Sequence, residues 1–390
     1  MRYTTAGESH GPQMTAIVEG VPAGLSISEA AINADLARRQ AGYGRGARQA
    51  IERDTVRVLS GVRFGRTLGS PIALAVENRD WQNWEGRMAA FGDAPIDLKR
   101  EVTPRPGHAD LVGALKMNTD DCRDVLERAS ARETAARVAA AGIAREFLAD
   151  VGVDIFSYVT SIGGAKMPEA DPMRDAPDYK PLDIELSDVR CPHEAAADAM
   201  RAEIDRAREA GESLGGTFRV VACGLVPGLG GYAGAGNRLT SRIGAALFSI
   251  PAIKGVEFGL GFEAARRPGS EVHDPILLDA SLGFTRASNN AGGLEGGMST
   301  GMPLIATCAM KPIPTLMNPL QTIDLDTLEP AWASKERSDV CAVPACAVVA
   351  EAEVAFVLAE AYLEKFGRDN MADIRAAIDA YKQRLRTAAR

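Results

Sequence analysis

Arg38-Arg39-Gln40-Ala41-Gly42-Tyr43-Gly44-Arg45-Gly46-Ala47-Arg48 is the densest positive stretch of this chain, and its reading decides between two fold classes. Gly44-Arg45-Gly46 has the Gly-x-Gly opening of a dinucleotide-binding turn, but no x-x-Gly follows and no strand precedes it. The phosphate turn of a doubly wound parallel sheet is therefore missing. What precedes it reads as a helix, with Ser28 as N-cap, Glu29 to Leu36 as its body and the glycines at 42 and 44 as its end. Further along, Val56 to Leu59 and Ser70 to Val76 read as strands joined by a glycine-containing turn. Ser130-Ala131-Arg132-Glu133 has capping-box spacing and opens an alanine-rich helix towards Val151. Asp154 to Ile162 is β-branched and aromatic, the composition of a strand. A polar connection from Gly163 to Pro192 precedes a helix (Ala195 to Ala210), a strand (Thr217 to Val226) and a helix (Asn237 to Phe248). A buried strand from Pro303 to Met310 and two closing helices, Val348 to Phe366 and Met371 to Arg386, complete the pattern. No repeat of fixed period occurs, and the mixed order predicts an α+β fold.

The chain has 390 residues, with 44 Lys+Arg against 52 Asp+Glu and a net charge of −8. An excess of acid argues against nucleic acid as a partner, so anion binding must come from local clusters. Six scattered cysteines lack zinc spacing, which predicts free thiols, no metal site and a reducing cytoplasm. The first residues lack an apolar signal region. The late apolar stretch from Val348 to Leu363 is interrupted by Glu351, Glu353 and Glu360, so no membrane span is expected.

Between Arg38 and Asp54 five arginines stand against two acids, a local charge of +3. Arginine's planar fork grips phosphate or carboxylate with two parallel bonds, and the interleaved glycines suit an anion site better than a solvated loop. Only four histidines occur. His10 sits in Gly7-Glu8-Ser9-His10-Gly11 and reads as a proton donor to a leaving oxyanion, with Ser9 in support. His108 sits in Arg105-Pro106-Gly107-His108-Ala109-Asp110, where Asp110 can orient its ring. His193 and His273 lie in polar loops and are assigned no role. Arg128-Ala129-Ser130-Ala131-Arg132-Glu133-Thr134 places hydroxyls and cations at a helix start, either an anion site or a plain cap. The run Asn289 to Gly301 carries five glycines between 292 and 301 and reads as a loop wrapped on a ligand. Ser334-Lys335-Glu336-Arg337-Ser338-Asp339-Val340-Cys341 is a charged loop entering an apolar run, which brings Arg337 and Asp339 towards a cleft.

Taken together, residues 7–11, 38–48, 105–110, 128–134, 289–301 and Arg337-Ser338-Asp339-Val340-Cys341-Ala342-Val343-Pro344 resemble the chorismate synthase family, in family order and over essentially the whole chain. The resemblance implies one large domain spanning 1–390, a β-α-β sandwich with helices between antiparallel sheets, in place of the two or three domains that length alone suggests. It implies a carbon–oxygen lyase that converts 5-enolpyruvylshikimate 3-phosphate (EPSP) to chorismate and phosphate by anti-1,4-elimination, the last common step of aromatic amino acid biosynthesis. That chemistry needs reduced FMN although no net redox change occurs.

By resemblance, His10 protonates the leaving phosphate, His108 sits by the flavin, and Asp339 relays the substrate proton. Arg39, Arg45 and Arg48 clamp phosphate and carboxylates, Arg132 is a further anion contact, and Arg39 and Arg45 are also associated with NADPH. Flavin contacts map to Arg128, Ala129, Ser130, Pro251, Ala252, Gly296, Lys311, Pro312, Ile313, Pro314, Thr315 and Arg337. The implied partners are EPSP, three further copies in a homotetramer, and either NADPH or an external flavin reductase as the source of electrons. The chain departs from the family at Ala129, where a second hydroxyl is usual, at Pro251, where a polar residue is common, and at Cys346-Ala347, which replaces a smaller pair. Two other readings use the same residues: a flavin-dependent NADPH oxidoreductase, and a non-catalytic binder of a phosphorylated anion.

Overall fold

The computed structural model describes residues 1–46, 53–168, 181–279, 283–336 and 338–388. Two antiparallel sheets enclose a layer of helices. The first runs in the order Arg2–Ala6, Gln13–Glu19, Ile72–Glu77, Val56–Val58. In Gln13–Glu19, Met14, Ala16 and Val18 are buried and the residues between them are not, so one face points inward at period two. The second sheet runs Ile253–Phe258, Leu304–Met310, Gly216–Cys223, Asp154–Ile162, Ala165–Lys166.

Between the sheets, the Thr134–Asp150 helix packs on the first and the Val343–Phe366 helix on the second, and both pack on each other and on Glu29–Gln40. Twenty of the 24 residues of Val343–Phe366 are buried, the signature of a core helix rather than a surface one. Alanines on the facing surfaces let the backbones approach: Ala139, Ala140, Ala347 and Ala350 are each fully buried. One hydrophobic cluster runs through both sheets and the helices between them. The fold is α+β, as the element order predicts. Among the described residues no helix is long and apolar enough to cross a membrane.

Buried charge ties these layers together. Glu351, 1% exposed, accepts from Arg38 Nη2 at 2.8 Å, Arg145 Nη1 at 2.8 Å, Arg190 Nη2 at 3.1 Å and Ser157 Oγ at 2.6 Å. Those partners come from three helical or loop segments and a strand of the second sheet. Two residues along, Glu353 accepts from Tyr3 Oη at 2.6 Å and Arg137 Nη1 at 3.1 Å, joining the first strand to the final core helix. Burial and the Glu353 charge push the Tyr3 hydroxyl well above the usual phenol range.

Local readings differ from the structure in instructive places. The N-terminal hairpin, Arg2–Ala6 with Gln13–Glu19, and the strand Ile253–Phe258 carry no strong sequence signal and are additional elements. The closing core helix starts at Val343 rather than Val348 because Pro344 sits in its first turn, where its missing N–H costs nothing. The helix after Ser130 starts at Thr134: Ser130 Oγ accepts from Arg132 N at 3.3 Å and caps a short 3-10 turn, Ala131–Glu133. Glu133 turns to Arg137 at 2.8 Å instead of closing a capping box. His193 is a helix N-cap, its Nδ1 accepting from Ala196 N at 3.2 Å.

Gly142 marks a close approach of the Thr134–Asp150 helix to Glu29–Gln40, since a Cβ there would lie 2.7 Å from Ile32 Cγ1. Alanine at 142 gains helix propensity but overpacks a fully buried contact. We expect a net loss of about 1–2 kcal/mol in urea unfolding. Unchanged or raised stability would show that the Glu29–Gln40 helix can slide away at no cost.

Candidate active site

Loops, together with the ends of several helices and one strand, surround a cavity of about 570 Å³. Ser9 and His10 enter it from the turn after the first strand. Gly7 makes that turn possible, with φ at +115° and a virtual Cβ only 2.5 Å from Gln13 O. The turn is held from below by the Arg123–Ala129 helix. Ser9 N donates to Glu127 O at 3.0 Å, and His10 N donates to Glu127 Oε2 at 2.8 Å. His10 Nδ1 lies 2.8 Å from Glu127 Oε1. Trp84 stacks on the imidazole with ring centroids 3.9 Å apart and planes 23° from parallel. Burial would raise the Glu127 carboxyl, but His10 and then Arg123 hold it below the usual carboxylate range.

His108 has a parallel arrangement. Its Nδ1 is hydrogen-bonded to Asp110 Oδ1, and Asp110 Oδ2 accepts from Arg105 Nε at 2.8 Å. Arg105 Nη1 reaches on to Thr315 Oγ1 at 3.0 Å. Asp110 is fully buried, which opposes its charge, yet the bonds from His108 and Arg105 hold it well below the usual carboxylate range. Both histidines thus engage Nδ1 with a buried carboxylate, and Nε2 is the nitrogen through which each can serve the cavity.

The arginine stretch contributes Arg39, Arg45 and Gly46 to the same cavity. Glycines 44 and 46 work differently from the expectation of backbone approach to a ligand. They let the chain lie against residues 338–341. Val340 N donates to Gly44 O at 2.8 Å and Gly46 N to Asp339 Oδ1 at 2.6 Å. A Cβ at 46 would meet Ser338 O at 2.9 Å. Arg45 Nη1 then reaches Asp339 Oδ2 at 2.9 Å, while its buried Nε has no hydrogen-bond partner among the described residues. Arg39 donates to Thr134 Oγ1 and Ala131 O and faces Asp54 at 3.6 Å. Its pKa is pulled down to about 10 by burial, against Asp54 and with help from Arg132 and Arg45. Arg132 directs its guanidinium to Asn78 Oδ1, Asp54 Oδ1 and Glu77 O, so it braces the wall as much as it can meet an anion.

A third side is apolar: Ile250, Pro251, Ala252, Met310, Ile313 and Pro314, with Val349 and Cys346 from the core helix. Ala252 sits in the left-handed region at φ +73°, a strain of about 1–3 kcal/mol for a residue with a Cβ. Its carbonyl accepts from Lys311 N at 2.9 Å, and Lys311 Nζ donates to Gly107 O. Partial burial, with Lys254 nearby, lowers the Lys311 pKa.

The structure thus brings together His10, His108, Arg39, Arg45, Arg132, Asp339, Ala129, Ser130, Pro251, Ala252, Lys311, Ile313, Pro314 and Thr315. Three anticipated residues are not on this wall. Arg128 sends its guanidinium away to Thr5 O and Gly7 O. Pro312 is skipped as the chain turns between Lys311 and Ile313. Gly296 lies in the turn of a small hairpin, Leu294–Glu295 with Met298–Ser299, and none of 289–301 lines the cavity. The glycines of that run allow main-chain contact instead, as at Gly292, whose Cβ would meet Gly259 N at 2.3 Å. Arg48 and Arg337 lie outside the described residues. Trp84, Glu127 and Asp54 were not anticipated. Trp84 had one usable signal, being one of only three tryptophans.

A cavity carrying two carboxylate-backed histidines, a cationic wall and an apolar wall suits acid–base work on an anionic substrate beside a flat group. The family model for chorismate synthase matches residues 1–363. Chorismate synthase of Geobacillus sp. (strain WCH70) is 52% identical over 393 residues, covering 99% of this chain and 100% of that one. Chorismate synthase 1 of a Bacillus cereus strain is 54% identical over 390 residues, with 99% and 100% covered. A crystal structure of chorismate synthase superposes with a TM-score of 0.81 at 42% identity, covering 99% and 98% of the two chains. Family, relatives and fold agree over the full length, and the chain belongs to the chorismate synthase family of lyases.

Proposed function

We propose that this lyase eliminates phosphate from EPSP in an anti-1,4 sense, with reduced FMN bound in the same cavity, and releases chorismate. The observation that carries the reading is the convergence of His10–Glu127 and His108–Asp110 on one arginine-lined cavity. Reduced FMN, when bound, would lend electron density to the substrate as phosphate departs and recover it once the C–H proton is lost, leaving the flavin reduced. The residues fit such a group. The apolar wall of Ile250 to Ala252 and Ile313-Pro314 suits a ring system, and Lys311, Ser130 and Thr315 supply polar contacts. Arg45 adds a buried Nε–H with no acceptor among the described residues.

In this reading Arg39 and Arg45 grip the anionic groups of the substrate, with Arg132 bracing them through Asp54. His10 gives a proton from Nε2 to the leaving phosphate. Asp339, held by Arg45 and Gly46 N, faces the substrate C–H side and accepts the proton released there. His108 holds the protonation state beside the flavin. Arg48, Arg128, Pro312, Gly296 and Arg337 join the site on resemblance alone. Electrons come from NADPH at Arg39 and Arg45 or from an external flavin reductase, and the working form is a cytoplasmic homotetramer.

The test is an anaerobic assay with EPSP and chemically reduced FMN. Equal release of chorismate and phosphate, with the flavin still reduced at the end, supports the elimination. Flavin binding without chorismate would sink it in favour of an NADPH oxidoreductase. A parallel run with oxidised FMN and NADPH alone separates self-reduction from dependence on an outside reductase.

A further inference from the structure

Glu127 is absent from the cavity wall, yet it makes more contacts with the His10 turn than any substrate contact could explain. Its carbonyl accepts from Ser9 N, one carboxylate oxygen from His10 N, and the other bonds His10 Nδ1. The residue is 2% exposed. On the far side Arg123 Nη1 stands 3.3 Å from the same Oε1, while Arg123 Nη2 is held by Glu336 at 2.9 Å. Trp84 covers the imidazole face, so the ring can neither rotate nor tilt without losing a contact.

We infer that Glu127 is the positioning residue of the reaction, fixing the His10 ring by a two-point grip that holds Nδ1 on the carboxylate and presents Nε2 to the leaving group. This rests on the proposed role of His10 as proton donor. The chemistry follows from the grip. A carboxylate at Nδ1 can only accept, so Nδ1 keeps its proton throughout. The proton on Nε2 is then the one that moves: the Nε2–H bond breaks, an O–H bond forms on the departing phosphate, and a neutral ring remains bonded to Glu127. Arg123 serves the pair by offering Glu127 a second counter-charge once the ring is neutral.

Glutamine at 127 is close in shape but cannot do this. Its single carbonyl oxygen is drawn to one of the two donors. If it takes His10 N–H, the NH2 group faces Nδ1 and forces the ring into the Nε2–H neutral tautomer. Such a ring cannot release that proton without becoming an anion. Glu127→Asp keeps the charge with a shorter reach.

The experiment compares the native enzyme, Glu127→Gln, Glu127→Asp and His10→Ala with EPSP and reduced FMN. It also records the spectrum of isotope-labelled histidine nitrogens, which four histidines leave uncrowded. In Glu127→Gln we expect kcat to fall on the order of 10²-fold or more. The KM for EPSP should stay within about threefold, because Glu127 is not on the wall, and the carboxylate-bonded Nδ1–H signal assigned through His10→Ala should vanish. Glu127→Asp recovers that signal and part of kcat. A Glu127→Gln enzyme within about threefold of native kcat, beside an inactive His10→Ala, overturns the inference. If His10→Ala keeps its turnover, the functional reading of His10 fails, and the Nδ1–H signal alone decides the grip. Its loss in Glu127→Gln upholds the grip and its persistence removes it.

Discussion

Alanine in place of His10 is expected to lower turnover by a factor on the order of 10²–10⁴, the cost of losing a general acid. The argument is geometric. His10 opens on the cavity from the turn at residues 7–11, and Arg39, Arg45 and Arg132 line the same space. Removing the ring leaves Glu127 buried, but Arg123 at 3.3 Å remains as its counter-ion, so the local fold should survive. Arg39, Arg45 and the apolar wall are untouched, and affinity for EPSP and for flavin should change little. Anaerobic single-turnover kinetics separate these effects. Turnover within about threefold of native would exclude His10 as the acid. Unchanged binding with lost turnover would also dismiss the alternative of a non-catalytic anion binder.

The largest stability effect is expected at Glu351. Three arginines surround its carboxylate within 3.1 Å, and Asp35 and Glu185 share those cations. Removing one member of a buried ionic network leaves a charge without compensation, and Glu351→Gln should cost about 3–5 kcal/mol. The pH dependence gives an independent check. Burial alone would raise this carboxyl, but Arg38, Arg145 and Arg190 hold it down to about 2. A folded pKa below the unfolded one means stability that is fully present above the ordinary carboxylate range and lost as pH falls towards 2. The native protein should therefore weaken steeply on acidification across that window, and Glu351→Gln less steeply from a lower start. Parallel acid-unfolding curves for the two proteins would show that Glu351 carries none of this dependence.

What was legible in the sequence was whatever local chemistry decides. Ser28 caps its helix through a bond from Ala31 N, at 3.4 Å, because a serine before an amphipathic run has little else to do. Asp154–Ile162 came out with its predicted ends because β-branched and aromatic residues fit a half-buried pleat. The histidines and the arginine stretch stood out through rarity and clustering. The partners of these residues did not. Glu127 is an ordinary acid in a helix, and only the docking of Arg123–Ala129 under the His10 turn gives it a role. Asp54 likewise matters because it lies between Arg39 and Arg132 in space. The glycine run at 289–301 misled for a physical reason: glycine serves close packing of main chain as readily as ligand approach, and here the neighbour is backbone.

The bond between Tyr3 and Glu353 spans 350 positions, and it sets a constraint on how the protein is made. On the ribosome the Arg2–Ala6 strand emerges long before the Val343–Phe366 helix that completes the core. Until then the inner face of the second sheet and the exposed side of the Thr134–Asp150 helix lack the helix that covers them, and a chain with exposed apolar faces is prone to self-association. Synthesis is thus a period of sustained exposure, and the nascent chain is a natural client for holding chaperones. The cavity, which draws on residues from Ser9 to Val349, forms only once that helix has emerged.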